Sequence, residues 1–291
     1  MRAQPLLSEE PMHGILIIDK PERKTSHDIV NAIRKKFGTS KVGHFGTLDP
    51  MATGVLPVAI GKATRLAQFI TNSPKIYEGE IRLGFSTNTY DREGAPTGEE
   101  KPVERDIGDI EAAVRSLTGT IDQTPPPFSA KKIGSVPSYK FARKNRPVEL
   151  SPVKVQIEQF EIIALNPPLL SFRVVCSPGT YIRSLAHDLG QRLGCGAHLT
   201  RLRRTRSGDF DIGHAISLDI CSAVHLTPLE SLLHSLPLIE VSGEDETKVL
   251  HGNQISGTGT VPFARIFNKQ GQFLAIASVE NGWVRPRLVL T

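Results

Sequence analysis

Asp49 stands in the run Gly43-His44-Phe45-Gly46-Thr47-Leu48-Asp49-Pro50, which has close-set glycines and no helical or strand period. Loops of this kind carry catalytic groups when a rigid scaffold holds both ends. Pro50 confines Asp49 to extended backbone geometry, which fixes the direction of its carboxylate. On the loop alone, an ordinary Asp-Pro turn is the better reading. Arg183 stands out for a different reason: it falls in the first turn of a helix that Thr180 is expected to cap. The helix dipole is positive there, so a cation costs about 0.3–1 kcal/mol unless an anion neutralises it. Arg183 therefore calls for a carboxylate or phosphate partner, unless it is a solvated surface arginine. Tyr77 at the start of a strand and Tyr181 beside Arg183 could each stack on a nucleobase, although half-buried packing accounts for either one taken alone.

Basic residues cluster twice. Lys131, Lys132, Lys140, Arg143, Lys144 and Arg146 alternate with Phe128, Tyr139 and Phe141; Arg201, Arg203, Arg204 and Arg206 form the second group. Such clusters suit phosphate contacts with base stacking, and a solvated charged face gives the same pattern. Other motifs fail on spacing. Gly61-Lys62-Ala63-Thr64 lacks both the upstream glycine and the Ser or Thr after lysine that a phosphate loop needs. Cys195 and His198 form one ligand pair without a second, and no Gly-x-Gly-x-x-Gly follows a strand, so neither a metal nor a dinucleotide cofactor is expected.

The elements that must position these residues follow from periodicity and caps. Gly14–Asp19 predicts a buried strand, and Thr25 or Ser26 caps a helix with Ile29, Val30, Ile33 and Phe37 on one face, stopped by Gly38. Residues 39 to 54 predict a loop. Val55–Ile60 predicts a strand, Lys62–Ile70 a helix, Ile76–Phe85 a strand and Asp106–Leu117 a helix. The proline-rich basic stretch 124–147 is too long for an idle connection. Val153–Leu165 and Leu169–Cys176 predict strands; Ile182, Leu185, Leu189 and Leu193 predict a helix ended by Gly194. A boundary falls near Pro237–Val241. A helix from Ser242 to His251 and three strands follow, with Asn281-Gly282 as a hairpin turn, forming a small β-rich module over 241–291 that leans on the main domain.

Composition narrows the class. The 291 residues carry a net charge of +5, with 39% hydrophobic and 22% charged residues, as in a soluble globular protein. No apolar run approaches the ~18 residues of a membrane span. Residues 1–12 predict a disordered N-terminus without a signal peptide, and the expected location is the cytoplasm. Three cysteines without Cys-x-x-Cys spacing predict neither a disulfide framework nor a zinc knuckle, leaving three partly buried thiols.

Taken together, the residues resemble a known family. Gly43-His44-Phe45-Gly46-Thr47-Leu48-Asp49-Pro50-Met51-Ala52-Thr53-Gly54-Val55-Leu56-Pro57 is similar to the signature of the TruB family, the bacterial tRNA pseudouridine(55) synthases. Lys20-Pro21, Tyr77, Ser129-Ala130-Lys131, Gly179-Thr180-Tyr181-Ile182-Arg183 and Leu202-Arg203-Arg204 resemble further landmarks in the family's order. Phe45 departs from the threonine or serine common there. The resemblance covers residues 13–240, with a weaker likeness to the family's PUA-like tail. It implies an α+β fold: a mixed, largely antiparallel central sheet with flanking helices. It also implies isomerisation of uridine to pseudouridine in the T-loop of tRNA, on a flipped-out nucleotide, without cofactor or metal.

The resemblance implies Asp49 as the catalytic carboxylate, Arg183 as its ion-pair partner and Tyr77 as the ring that stacks on the base. Tyr181 and Leu202 line the uridine pocket, and His44 touches extruded nucleotides. Lys131, Lys132, Arg143, Lys144, Arg203 and Arg204 contact the RNA backbone, and segment 124–147 closes over the T-arm. The implied partner is tRNA alone, bound by a monomer. A guided relative acting inside an RNA–protein complex is expected to carry long basic extensions, which this sequence does not show. An RNA-binding or tRNA-folding protein with a dead active site does not need Asp49, Tyr77 and Arg183 together.

Overall fold

The computed structural model describes residues 12–129, 132–133, 136–137 and 150–290. The expected disordered N-terminus, apart from Met12, lies outside the described residues, as do Lys131, Arg143 and Lys144; of Lys132 only the backbone is described.

β1 (Gly14–Lys20) is buried along its apolar run. α1 (Ser26–Phe37) begins at Thr25, whose hydroxyl accepts from the Asp28 N–H while the Asp28 carboxylate accepts from the Thr25 N–H; Gly38, at φ 64°, ends it. β2 (Val42–His44) and β3 (Thr53–Ile60) bracket the Asp49 loop, so the expected loop over 39–54 is shorter and pinned at both ends by strands. The helix expected over Lys62–Ile70 is a 3-10 turn, Gly61–Leu66, running into the single-turn α2 (Ala67–Ile70). β4 (Lys75–Leu83), α3 (Ile107–Arg115), β5 (Gly119–Gln123) and the hairpin of β6 (Lys132–Ile133) with β7 (Val136–Pro137) follow. β8 (Val153–Asn166) and β9 (Leu169–Cys176) lead to α4 (Ile182–Leu193).

The basic stretch after α4 is β10 (Ala197–Ser207), a central strand that the sequence reading did not anticipate. It turns back into β11 (Phe210–Asp211), and β12 (Thr227–Pro228) covers the edge of β1. The ten-stranded sheet runs β12-β1-β3-β10-β4-β9-β8-β5, with β2 on β3 and β11 on β10. β3 and β10 run parallel; the remaining ladders are antiparallel, so the sheet is mixed and largely antiparallel, as expected.

One sheet face carries Leu16, Ile18, Leu56, Val58, Ile81 and Phe172, which pack under Ile29 and Ile33 of α1, Ile110 of α3, and Leu185 and Leu189 of α4. Each such buried side chain contributes about 1.5–3 kcal/mol. The opposite face, at β1 and β3, presents Ile15, Val55 and Ala59 to Leu66, Ile70 and the C-terminal Phe273 and Ile276. That second core is how the C-terminal part leans on the main sheet. The C-terminal sheet comprises β13 (Leu238–Val241), β14 (Ile255–Ser256), β15 (Val261–Asn268), β16 (Phe273–Glu280) and β17 (Trp283–Val289), in the order β13-β15-β16-β17-β14, with α5 (Gly243–Leu250) against it. Its first strand starts at Leu238, three residues before the expected start of the module. Asn281 and Gly282, at φ 52° and 78°, make the expected hairpin turn. Among the described residues no helix is long and apolar enough to cross a membrane.

Candidate active site

The Asp49 loop hangs from the parallel seam between β3 and β10, where Gly54 pairs with Arg204. Gly54 has φ 101°, and a Cβ there would meet the Arg204 carbonyl oxygen at 2.2 Å, so only glycine permits this backbone approach. The Arg204 side chain turns inward, 1% exposed, and donates to the Val55 carbonyl at 2.8 Å and the Gly46 carbonyl at 3.0 Å. Ser26, the first residue of α1, accepts from the Leu48 N–H at 2.9 Å and donates to the Leu48 carbonyl. Lys20, fully buried at the end of β1, donates to the carbonyls of Pro21, Lys24 and Pro50. Three elements thus clamp the backbone on both sides of Asp49 before its side chain makes any contact.

The carboxylate then receives a two-pronged bond from Arg183: Nε donates to Oδ2 at 2.8 Å and a terminal nitrogen to Oδ1 at 2.9 Å. Arg183 is the second residue of α4 and nearly buried, its side chain 6% exposed, while Asp49 keeps 32% and faces the cavity. Its other N–H groups reach the Thr89 and Phe128 carbonyls at 3.1 Å each and the Asp91 carboxylate at 3.6 Å. Asp91 is held in turn by the Thr89 hydroxyl at 2.6 Å and the Glu93 N–H at 3.0 Å. Two carboxylates therefore offset a guanidinium placed at the positive end of a helix, and the fork geometry fixes the aim of Asp49.

Asp49 and Arg183 line a cavity of about 630 Å3, together with Tyr77, Tyr181, Leu202, Lys75 and Arg204. That volume suits a nucleoside, within the ~300–1,000 Å3 usual for small-ligand sites. Burial raises the Tyr77 phenol above its ordinary pKa, against the Arg204 guanidinium that hydrogen-bonds it. Burial likewise raises Tyr181, whose phenol hydrogen-bonds Ser129; its backbone is gripped by buried Gln123 through both N–H and carbonyl. Both phenols stay neutral at pH 7 and present their rings. Lys20 and Lys75 are lowered to about 8 by burial. Among the described residues no three His, Cys, Asp or Glu side chains converge as a metal site.

Asp49, Tyr77, Tyr181, Arg183 and Leu202 are thus brought to one cavity. His44 is not among the cavity's lining residues; it sits on β2, its pKa lowered by burial and by the charges of Arg204 and His27. Arg204, expected to contact the RNA backbone, is 1% exposed and turned inward, where its guanidinium donates to two backbone carbonyls. Arg203 lies on the opposite face of β10, half exposed and paired with Asp19 at 2.8 Å. Thr180 does not cap α4: the N-cap is Tyr181, and the Thr180 hydroxyl meets Ser177 instead. Sequence reading missed Asp91 and Lys75. Asp91 sits in the irregular stretch 84–106, and Lys75 reads as an ordinary strand-end charge; the one available signal was that a misplaced Arg183 could take more than one anion.

Comparison with known proteins gives the family. The model of the "TruB family pseudouridylate synthase (N terminal domain)" matches residues 34–182, and that of the "tRNA pseudouridylate synthase B C-terminal domain" matches residues 183–236. The tRNA pseudouridine synthase B of Solibacter usitatus (strain Ellin6076) is 43% identical over 92% of this chain and 96% of its own length. That of Thermobifida fusca (strain YX) is 42% identical over 95% of this chain and 98% of its own. Among solved structures, a chain from a Cbf5-Nop10-Gar1 complex superposes with a TM-score of 0.72 at 26% identity, covering 96% of this chain and 85% of that one. The ten-stranded sheet, the Asp49–Arg183 pair in its cavity and these matches lead to one assignment: the chain belongs to the TruB family of pseudouridylate synthases.

Proposed function

We propose that this chain converts uridine to pseudouridine at position 55 in the T-loop of tRNA, with Asp49 as the catalytic carboxylate. The observation that carries the reading is the Asp49–Arg183 fork, which aims one third-exposed carboxylate into a nucleoside-sized cavity beside Tyr77. The reaction breaks the C1′–N1 bond, turns the base and joins C5 to C1′; the C5 proton is lost and N1 gains one. Asp49 acts at the sugar, either on C1′ or on an adjacent proton, and an ionised carboxylate serves both. The uridine leaves its stack to enter the cavity, with Tyr77 under the base at about 1–3 kcal/mol of stacking. Tyr181 and Leu202 close on its sides. His44 meets the neighbouring nucleotides outside the cavity. Lys131, Lys132, Arg143, Lys144 and Arg203 contribute the salt-dependent part of tRNA affinity. The protein works as a cytoplasmic monomer with no obligate protein partner.

The test is incubation with an unmodified tRNA transcript and mapping of pseudouridine along it. A single product in the T-loop is expected. A product elsewhere overturns the position, and no product overturns the activity.

A further inference from the structure

Four buried cations line or underlie the cavity, and they are unequally matched. Lys20 and Arg183 lie on the Asp49 side, where Asp49 and the buried Asp91 offset them. Lys75 and Arg204 line the same cavity with Tyr77, Arg204 also bonding the Gly46 carbonyl of the Asp49 loop. Lys75 is 6% exposed and donates to the Thr71 and Ser73 carbonyls at the end of α2. Arg204 reaches the carbonyls of Val55 and Gly46. Among the described residues, neither makes a carboxylate ion pair. Glu93, the remaining carboxylate of the lining, is exposed at the mouth. Two desolvated positive charges therefore line the same cavity as the ring on which the base is proposed to stack. An uncompensated buried cation is unfavourable in the empty protein, and an anion formed in the cavity relieves it.

We propose that Lys75 and Arg204 form a cationic wall that stabilises the uracil ring as an anion while it is detached from the sugar. The inference rests on the uridine-isomerase reading above. When C1′–N1 breaks, both bonding electrons leave with the base, which then carries one negative charge spread over N1, O2 and O4. When C5 joins C1′, that pair is returned, the C5 proton departs and N1 is protonated. The wall gives up no proton; it supplies charge during the interval in which the base is neither substrate nor product. Backbone phosphates are a poorer match, because Lys75 Nζ is tied to two carbonyls and cannot extend to the surface.

The groups facing Lys75 are Arg204 on β10, Cys176 on β9 and Tyr77 on its own strand. Burial pushes the Cys176 thiol up to about 12 and raises Tyr77, so neither ionises near neutral pH. Lys75 and Lys20, both held at about 8, are the groups of the cavity that lose charge as pH rises.

The experiment is single-turnover pseudouridine formation on an unmodified tRNA transcript between pH 6 and 10, for the wild type, Lys75→Met and Lys75→Arg. The wild-type rate should fall as pH rises through about 8, in a step that includes the Lys75 proton. Lys75→Met should lose roughly tenfold or more in rate at pH 7, with tRNA Kd within about twofold of wild type. Lys75→Arg should recover most of that rate, and both variants should show a shallower alkaline limb that lacks the Lys75 step. A wild-type rate in Lys75→Met, or an unchanged limb in both variants, overturns the proposal. Equal losses of rate, tRNA binding and Tm in both variants assign Lys75 to holding the end of α2 and overturn it too. Absence of any product from the wild type is a separate failure, of the activity itself.

Discussion

In the C-terminal sheet the ion pairs lie in solvent: Arg285 and Glu280, 3.0 Å apart, keep 40% and 42% of their side chains exposed. In the cavity of the main sheet, Arg183 keeps 6% and Asp91 7%. The small sheet rests on aliphatic packing, with Ile266, Ala275 and Val249 fully buried; its ion pairs lie on a rim, while its buried Arg265 donates to the Leu232 and Leu236 carbonyls. The cavity buries lysine, arginine and aspartate among backbone carbonyls, an arrangement that hydrophobic residues of the same size would match or better for stability. The contrast separates ion pairs held in a cavity from ion pairs held in solvent, and under the proposed function only the first serve chemistry. It breaks if cavity substitutions act on stability alone, or if rim substitutions act on catalysis.

The largest effect is expected at Asp49. Asp49→Asn preserves the shape of the loop but removes the charge, and turnover on unmodified tRNA should fall by on the order of 10^4-fold. Binding of tRNA and Tm should stay close to wild type, because the loop backbone is held by Lys20, Ser26 and Arg204 rather than by the carboxylate. Near wild-type turnover would remove Asp49 from the chemistry. Next is Arg183→Met, which leaves Asp91 buried and unpaired and frees Asp49 to swing. The rate should drop by roughly 10^2–10^3-fold and stability by about 3 kcal/mol. A loss of stability with an intact rate would make the pair structural. The third change, Ile266→Ala, hollows the small sheet; it should lower stability by about 2–5 kcal/mol while the rate per folded molecule is unchanged. Thermal melts and single-turnover assays on the same samples separate these outcomes.

How much of this was legible depended on whether a residue obeyed local rules. The capping box at Thr25 and Asp28 and the left-handed Gly38 announce α1 without tertiary help. Asn281-Gly282 does the same for the last hairpin. β10 was hidden because its arginines, at 201, 203, 204 and 206, read as a solvated cluster. Two register shifts, after Leu199 and after Arg204, also break the two-residue alternation that would have marked a strand. Arg204 illustrates the limit: it shares the inward face of β10 with Leu202, two residues earlier in unbroken register, but until the strand is recognised its place in a run of arginines hides that it is 1% exposed. Arg183 was legible as a residue in need of an anion. That it takes two, and that the second is Asp91, depends on a loop that is docked on Leu199 of β10 as well as bonded within itself.

The smallest effect is the sharpest test of the contrast. Glu280 accepts from Arg285 at 3.0 Å and lies 3.6 Å from Arg287, so Glu280→Gln removes both rim pairs at once. Each partner keeps at least 40% of its side chain exposed, and water replaces most of what is lost. The expected change is below about 1 kcal/mol in stability, shrinking further in high salt, with no change in the rate of pseudouridine formation. Arg287 retains its bond to the Ser278 hydroxyl at 2.9 Å, so the strand edge keeps its geometry. A rate loss in Glu280→Gln would mean that the rim of the small sheet takes part in holding the substrate, and the division between a chemical cavity and an inert rim would fail.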